Sequence, residues 1–272
     1  MRPPKDDIAA PPFPPAAPWS DDEERVMERL TAAGPVLVHF FDFGQLNGVR
    51  TLPYVAAWDE RYRDSGLTTI GVHTPRYPFS EDFAAVRAAV ERLEIPYPVV
   101  GDSARSIWAD YGCQGWPSLF LWAKGGVLRW YHFGEGEYAA TEEAIQDELE
   151  LDVIGGRPAP VDPLRPGDAP GARVAAPTAE LLPGGSESEP WRPSSEQPGL
   201  EIDYEAAAAF ATLDGDGVVA VTIDGEPAEE IVVGHPGLYP LTAETAHAPH
   251  RIELRPDPGV LVYSVSFAAG PA

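Results

Sequence analysis

The chain has 272 residues, 44% of them hydrophobic, and a formal net charge of -24 with a pI near 4.4. That field repels phosphate backbones and anionic lipid surfaces, which sets nucleic acid and membranes aside as partners. A single cysteine, Cys113, excludes an intrachain disulfide, a dithiol couple and a cysteine-rich zinc site.

Residues 1-24 are Pro-rich and then acidic, with no apolar signal-peptide core, and no later stretch approaches the length of an apolar membrane span. A soluble, cytoplasmic protein is the expectation. "SDDEERVMERL" predicts a helix with Ser20 as N-cap and Val26, Met27 and Leu30 at helical spacing. "PVLVHFF" reads as a strand buried on both faces. In "QLNGVRTLPYVAAWDERYRDSG" a helical period runs from Leu46, with a kink expected at Pro53 and a stop at Gly66. "LTTIGVHT" is a second strand, "SEDFAAVRAAVERLEI" a helix opened by Ser80 and its acids, and "YPVVGD" a short extended segment. "SARSIWADYG" predicts a short helix ending at Gly112, and "PSLFLWAKGGVLRWYHF" an antiparallel hairpin about a Lys-Gly-Gly turn. "ATEEAIQDELELDVIGG" closes the block as a helix with Thr141 near its start.

This order predicts a mixed α/β domain with a right-handed crossover over residues 25-155. Residues 156-198 are rich in proline and glycine and read as a linker, with Trp191 as a residue able to pin it to a groove. From residue 199 to 272 the period changes to two, in short β-branched and aromatic runs separated by Asp-Gly, Gly-Glu-Pro and Asp-Pro-Gly turns. A small all-β antiparallel sandwich is expected there.

"PVLVHFFDFGQLNGV" and "YGCQGWPSLFLW" together resemble the thioredoxin active-site strand and turn and its Tyr-Gly-x-x-Gly-x-Pro-Thr segment. The resemblance sets Gln45 and Gly48 at the two cysteines of Cys-x-x-Cys, with Leu46 and Asn47 between them. It puts His39 where thioredoxins often bury an acid, and Pro117 at the proline that is cis in this fold. "RTLPYVAAWDERY", "IGVHTP", "YPVV" and "HFGEGEYAATEEAI" extend the likeness to the DipZ-type and TlpA-like thiol-disulfide family. "VTIDG", "GLYPL" and "PGVLVYSVSFA" resemble the C-terminal β-sandwich of some DipZ-type chains, itself similar to a carbohydrate-binding module. The likeness implies a thioredoxin-like mixed sheet flanked by helices, followed by a sandwich, with the defining cysteines replaced.

Thiol exchange requires an attacking thiolate and a resolving thiol, which Gln45 and Gly48 cannot supply. What the pattern keeps is a helix start at Asp42, Gln45, Leu46, Asn47 and Gly48 facing Trp116, Pro117 and Ser118. Backbone N-H groups, aromatic area from Phe41, Phe43 and Trp116, and a cis-proline edge suit a protein, peptide or small ligand. The alternative is that Asp42, Gln45 and Asn47 only cap the helix. No cofactor is expected, and oligomeric state is not legible.

The competing readings are a thioredoxin-family oxidoreductase, or a one-cysteine peroxidase or sensor at Cys113, set against plain packing of that thiol. A third puts sugar binding on Tyr204, Phe210, Tyr239, Tyr263 or Phe267, most of which alternation assigns to the core. His39 reads as a core histidine rather than a base, and His247 with His250 lack a third zinc ligand. "DGDG" at Asp214 to Gly217 is read as a hairpin turn rather than a calcium loop, and "GEGEY" is acidic where a phosphate loop needs cations. No Gly-x-Ser-x-Gly elbow supports a hydrolase. The leading expectation is a redox-inactive thioredoxin-like recognition protein.

Overall fold

The computed structural model describes residues 1-3, 7-151, 157-243 and 246-271. Two compact units divide the chain: Met1–Phe43, Asn47–Pro75 and Glu81–Asp162 form the first, and Gly44–Leu46, Arg76–Ser80 and Pro163–Ala272 the second.

The first unit is a mixed sheet with helices. Its elements are α1 (Met27–Ala33), β1 (Val36–Phe41), α2 (Leu46–Tyr62, whose first residue belongs to the second unit), β2 (Thr68–His73), α3 (Phe83–Arg92), β3 (Val99–Gly101), α4 (Ser106–Tyr111), β4 (Ser118–Trp122), β5 (Leu128–Phe133) and α5 (Tyr138–Glu148). Sheet order is β3-β2-β1-β4-β5, with β1, β2 and β3 parallel and β4 antiparallel to both neighbours. Every residue of β1 is buried, which is why its sequence is apolar without alternation. Val36, Val38 and Phe40 pack with Ile70, Val72, Phe120 and Trp122, and Phe13 and Trp19 of the Pro-rich stretch join the same cluster.

Helix starts depart from the sequence expectation in two places. Ser20 does not cap α1, whose N-cap Val26 has no side-chain bond; the Ser20 N-H donates to Val99 O at 2.8 Å and its Oγ accepts from Val99 N at 3.0 Å. Asp82, not Ser80, caps α3 by accepting from Ala84 N, while the Ser80 hydroxyl donates to Tyr77 O at 2.8 Å. Helix α5 begins at Tyr138 and so has Thr141 near its start, as the sequence predicts. Its expected continuation through residues 152-156 lies outside the described residues. Helix α2 runs through Pro53, and a short 3-10 turn follows it before Gly66 closes the segment at φ 104°.

The second unit is all-β. After β6 (Val174–Ala175) come β7 (Leu200–Ala206), β8 (Ala208–Gly215), β9 (Gly217–Ile223), β10 (Glu226–Pro227), β11 (Ile231–Val233), β12 (Gly237–Pro240), β13 (Ala248–Pro256), β14 (Val260–Ala268) and β15 (Gly270–Pro271). One antiparallel sheet runs β10-β9-β13-β7 with β11 also on β9; the other is β12-β8-β14. Strand β7 alternates buried and exposed residues throughout, and Leu200, Ile202 and Tyr204 share a core with Leu213, Val219, Ile252 and Val265. Trp191 pairs its backbone with Val262 and is buried in that core.

The Asp214 to Gly217 segment is not a hairpin. Strands β8 and β9 lie in different sheets, so it carries the chain from one to the other. Gly215 has φ 96°, and a Cβ there would stand 2.1 Å from Gly259 O, so only glycine fits. Asp224 and Gly225, both at positive φ, instead make the tight hairpin between β9 and β10. Among the described residues no helix is long and apolar enough to cross a membrane.

Candidate functional site

Strand β1 delivers Asp42 and Phe43 just past its buried end, and β2 brings His73 beside them. Asp42 is fully buried, and its Oδ2 lies 3.9 Å from His73 Nε2. His73 stacks on Phe43 with centroids 5.2 Å apart, and burial lowers its pKa against the opposing pull of Asp42. Gly48 is buried and Asn47 half-buried, the Asn47 carbonyl accepting from Thr51 Oγ1 at 2.9 Å.

The β4 loop is held from three directions. The Trp116-Pro117 bond is cis, and the half-buried Trp116 indole donates to Thr74 O at 2.9 Å. Trp108 lies 4.5 Å from that ring by centroid, and the Arg105 guanidinium lies over the Trp116 ring at 5.6 Å. Ser118 is buried and donates to Gly115 O at 2.7 Å. Asp102 fixes the neighbouring α4: its carboxylate accepts from Ile107 N at 3.0 Å, Trp108 N at 2.8 Å and Thr74 Oγ1 at 3.1 Å. His73, Asp102, Arg105 and Trp108 were not singled out from sequence. The one local signal was an aspartate standing shortly before a short helix.

Cys113 follows α4 half-buried, and burial pushes its thiol up to about 12, with the nearby Ser118 side chain pulling the other way. Such a thiol is almost wholly protonated at neutral pH. His39 is fully buried, stacks on Phe41 at 5.3 Å and has its Nδ1 3.4 Å from the Tyr97 hydroxyl; burial takes its pKa down to about 3, so it stays neutral. In "GEGEY", Glu135 accepts from Arg50 Nε at 2.7 Å, so the acid serves an ion pair.

Within the second unit, the Gly44 carbonyl accepts from Thr212 Oγ1 at 2.7 Å. Leu46 is 4% exposed and clusters with Ala208 and Ala268, with Phe210 and Leu238 against them. Gln45 between them is half-buried. Of the eight residues expected at the site, Gln45, Asn47 and Trp116 therefore reach the surface, while Asp42, Leu46, Gly48, Pro117 and Ser118 are buried.

His247 and His250 are each set on a carboxylate, Glu205 at 3.5 Å and Asp224 at 2.7 Å. Among the described residues no group of three or more His, Cys, Asp or Glu is placed to hold a metal. Tyr204, Tyr239, Tyr263 and Phe267 are buried and Phe210 is half-buried, so they offer no open aromatic platform.

Residues 186-268 match the family described as the thioredoxin like C-terminal domain. The chain is 27% identical over 267 residues to Protein DipZ of Mycobacterium tuberculosis (strain CDC 1551 / Oshkosh), an alignment covering 85% of this chain and 38% of that protein. It is 30% identical over 132 residues to NHL repeat-containing protein 2 of Homo sapiens, covering 48% of this chain and 18% of that one. Among solved structures, a thiol-disulfide isomerase from Corynebacterium glutamicum superposes with a TM-score of 0.46 at 20% identity, over 52% of this chain and 96% of that one. The chain thus spans 38% of the length of the DipZ proteins it matches.

Proposed function

We propose that the protein is a redox-inactive thioredoxin-like protein that recognises a protein, an extended peptide or a small ligand at the Trp116 loop. Asn47 and Trp116 are the contact side chains of the first unit, and Asp42, Gly48, Pro117 and Ser118 their frame. The observation that carries the redox-inactive part is chemical: the chain has a single cysteine, Cys113, whose thiol burial pushes up to about 12, and the thioredoxin resemblance sets Gln45 and Gly48 where the exchanging thiols would stand. The recognition part is supported by Trp116, a half-buried ring fixed by its bond to Thr74 O and flanked by Arg105, which forms a preorganised anchor of the kind that dominates interfaces.

A peroxidase or sensor at Cys113 has the weaker support, since its thiolate is disfavoured. Sugar binding has less still, because the aromatics it would use are mostly in the core. Two assays on the intact chain test the proposal. Dithiothreitol-driven insulin reduction is expected at the buffer rate, and turnover above it ends the redox-inactive reading. Binding to an immobilised library of extended peptides, measured at a temperature where circular dichroism shows both proteins fully folded, is expected to fall about tenfold or more in Trp116→Ala. Undiminished binding in that variant removes the Trp116 loop from the site.

A further inference from the structure

The sandwich of the second unit is open along one side. Strands β10 and β11 together make the outer strand of one sheet, interrupted at Ala228 to Glu230, and β12 is the outer strand of the other. Between these two margins lies a cavity of about 510 Å³. Ile223, Ala228 and Ile231 wall it from the first sheet and Tyr239, Pro240 and Leu241 from the second. Ile223, Ala228 and Ile231 are half-buried and pack on the sandwich core, so the cavity continues an apolar interior outward.

The polar atoms of the second wall are already engaged. The Tyr239 hydroxyl donates to His235 O at 2.7 Å, and Thr242 Oγ1 accepts from Ala209 N at 2.9 Å. Among the described residues the charges lining the cavity are two exposed carboxylates, Glu229 and Glu230, at the strand interruption. Neither forms an ion pair among the described residues, and no lysine or arginine lines the space.

We infer that this cavity binds a small organic cation with an apolar body, of the alkylammonium class. The volume falls in the range that takes a whole small molecule. Apolar walls accept the alkyl part through burial, and the two carboxylates at the rim accept the ammonium head. An anion of the same shape meets both carboxylates and the chain's overall negative field, so it is excluded.

The test is an amide-resolved NMR titration of the intact chain at low ionic strength with three probes of equal length: hexyltrimethylammonium, hexanol and hexanoate. Saturable shifts at Ile223, Ile231 and Leu241 with hexyltrimethylammonium, and none with hexanoate, are expected. The double variant Glu229→Gln/Glu230→Gln changes exposed side chains, and is expected to weaken that binding about fourfold to twenty-fivefold, about two to five for each carboxylate. Ala228→Phe fills the space and is expected to abolish it. The inference is overturned if hexanol or hexanoate binds as well as the cation, if the double variant binds unchanged, or if no probe shifts these amides.

Discussion

Glu142 tests most sharply how the first unit is fastened together. Its side chain lies on α5 at 1% exposure, an expensive place for a carboxylate unless its lone pairs are filled. They are: the oxygens accept from Trp58 Nε1 at 3.1 Å, Arg61 Nη1 at 2.7 Å, the Tyr62 hydroxyl at 2.6 Å and Val161 N at 2.7 Å. One side chain thus joins α2, α5 and the segment after α5, and Gln146 repeats the link by donating to the Tyr62 hydroxyl and to Pro158 O. Glu142→Ala leaves four donors around a void, and breaking one side of such a buried charged network costs about 3–5 kcal/mol. At about 2–4 °C per kcal/mol for a domain of this size, the melting temperature should fall by about 6–20 °C. Urea and thermal unfolding of Glu142→Ala beside the exposed neighbour Glu143→Ala measure the difference. A loss no larger in Glu142→Ala than in Glu143→Ala would refute the reasoning.

Two further expectations concern buried titrating groups. His39 titrates near 6.5 when unfolded but stays neutral to about pH 3 when folded, so the unfolded state binds more protons in between. Its contribution is complete above about pH 6.5 and is lost as pH falls toward 3; His39→Leu should flatten the pH slope of unfolding free energy there by up to about 1.4 kcal/mol per unit, and an unchanged slope counts against the assignment. His73 shifts in the same direction and should keep part of the slope in that variant. For Cys113 the sign reverses, because its folded thiol holds its proton up to about 12: its contribution is intact below about pH 8.5 and falls as pH rises toward 12. Native alkylation should accordingly be slow at neutral pH and become fast on unfolding in urea, and rapid native labelling would revive a reactive thiol.

The parts of this fold legible in the sequence are those written locally. An unbroken apolar run marked β1 as doubly buried, Lys-Gly-Gly marked the β4–β5 hairpin, and Gly112 marked the end of α4 with φ 66°. Helix starts were misplaced where several cap residues stood close together, as at Ser80 and Asp82, because the choice falls to whichever side chain tertiary contacts leave available. Asp102 caps α4 from outside the usual position, by way of Ile107 and Trp108, and no simple spacing rule contains it. The Asp214 to Gly217 turn looked like a hairpin because turn chemistry is local, whereas the sheet each flanking strand joins is decided by distant partners. For the same reason His73 and Trp108 came to the candidate site unannounced: each is brought there by strand or helix placement, not by a motif.

Within the second unit, Leu46 and the alanine run "EAAAAF" belong to one packing problem. Ala206, Ala207, Ala208 and Ala209 are all buried, in a stretch where β7 ends and β8 begins and Ala207 N bonds Ala268 O. Buried alanines in succession leave little room on either face of the chain, and Leu46 fills what is left beside Ala208 and Ala268. Along residues 45-48, Leu46, at 4% exposure, and Gly48 are buried, while Gln45 and Asn47 are half-buried. In the second unit Leu46 therefore contributes packing, and in the first unit the half-buried Trp116 keeps part of its ring toward solvent.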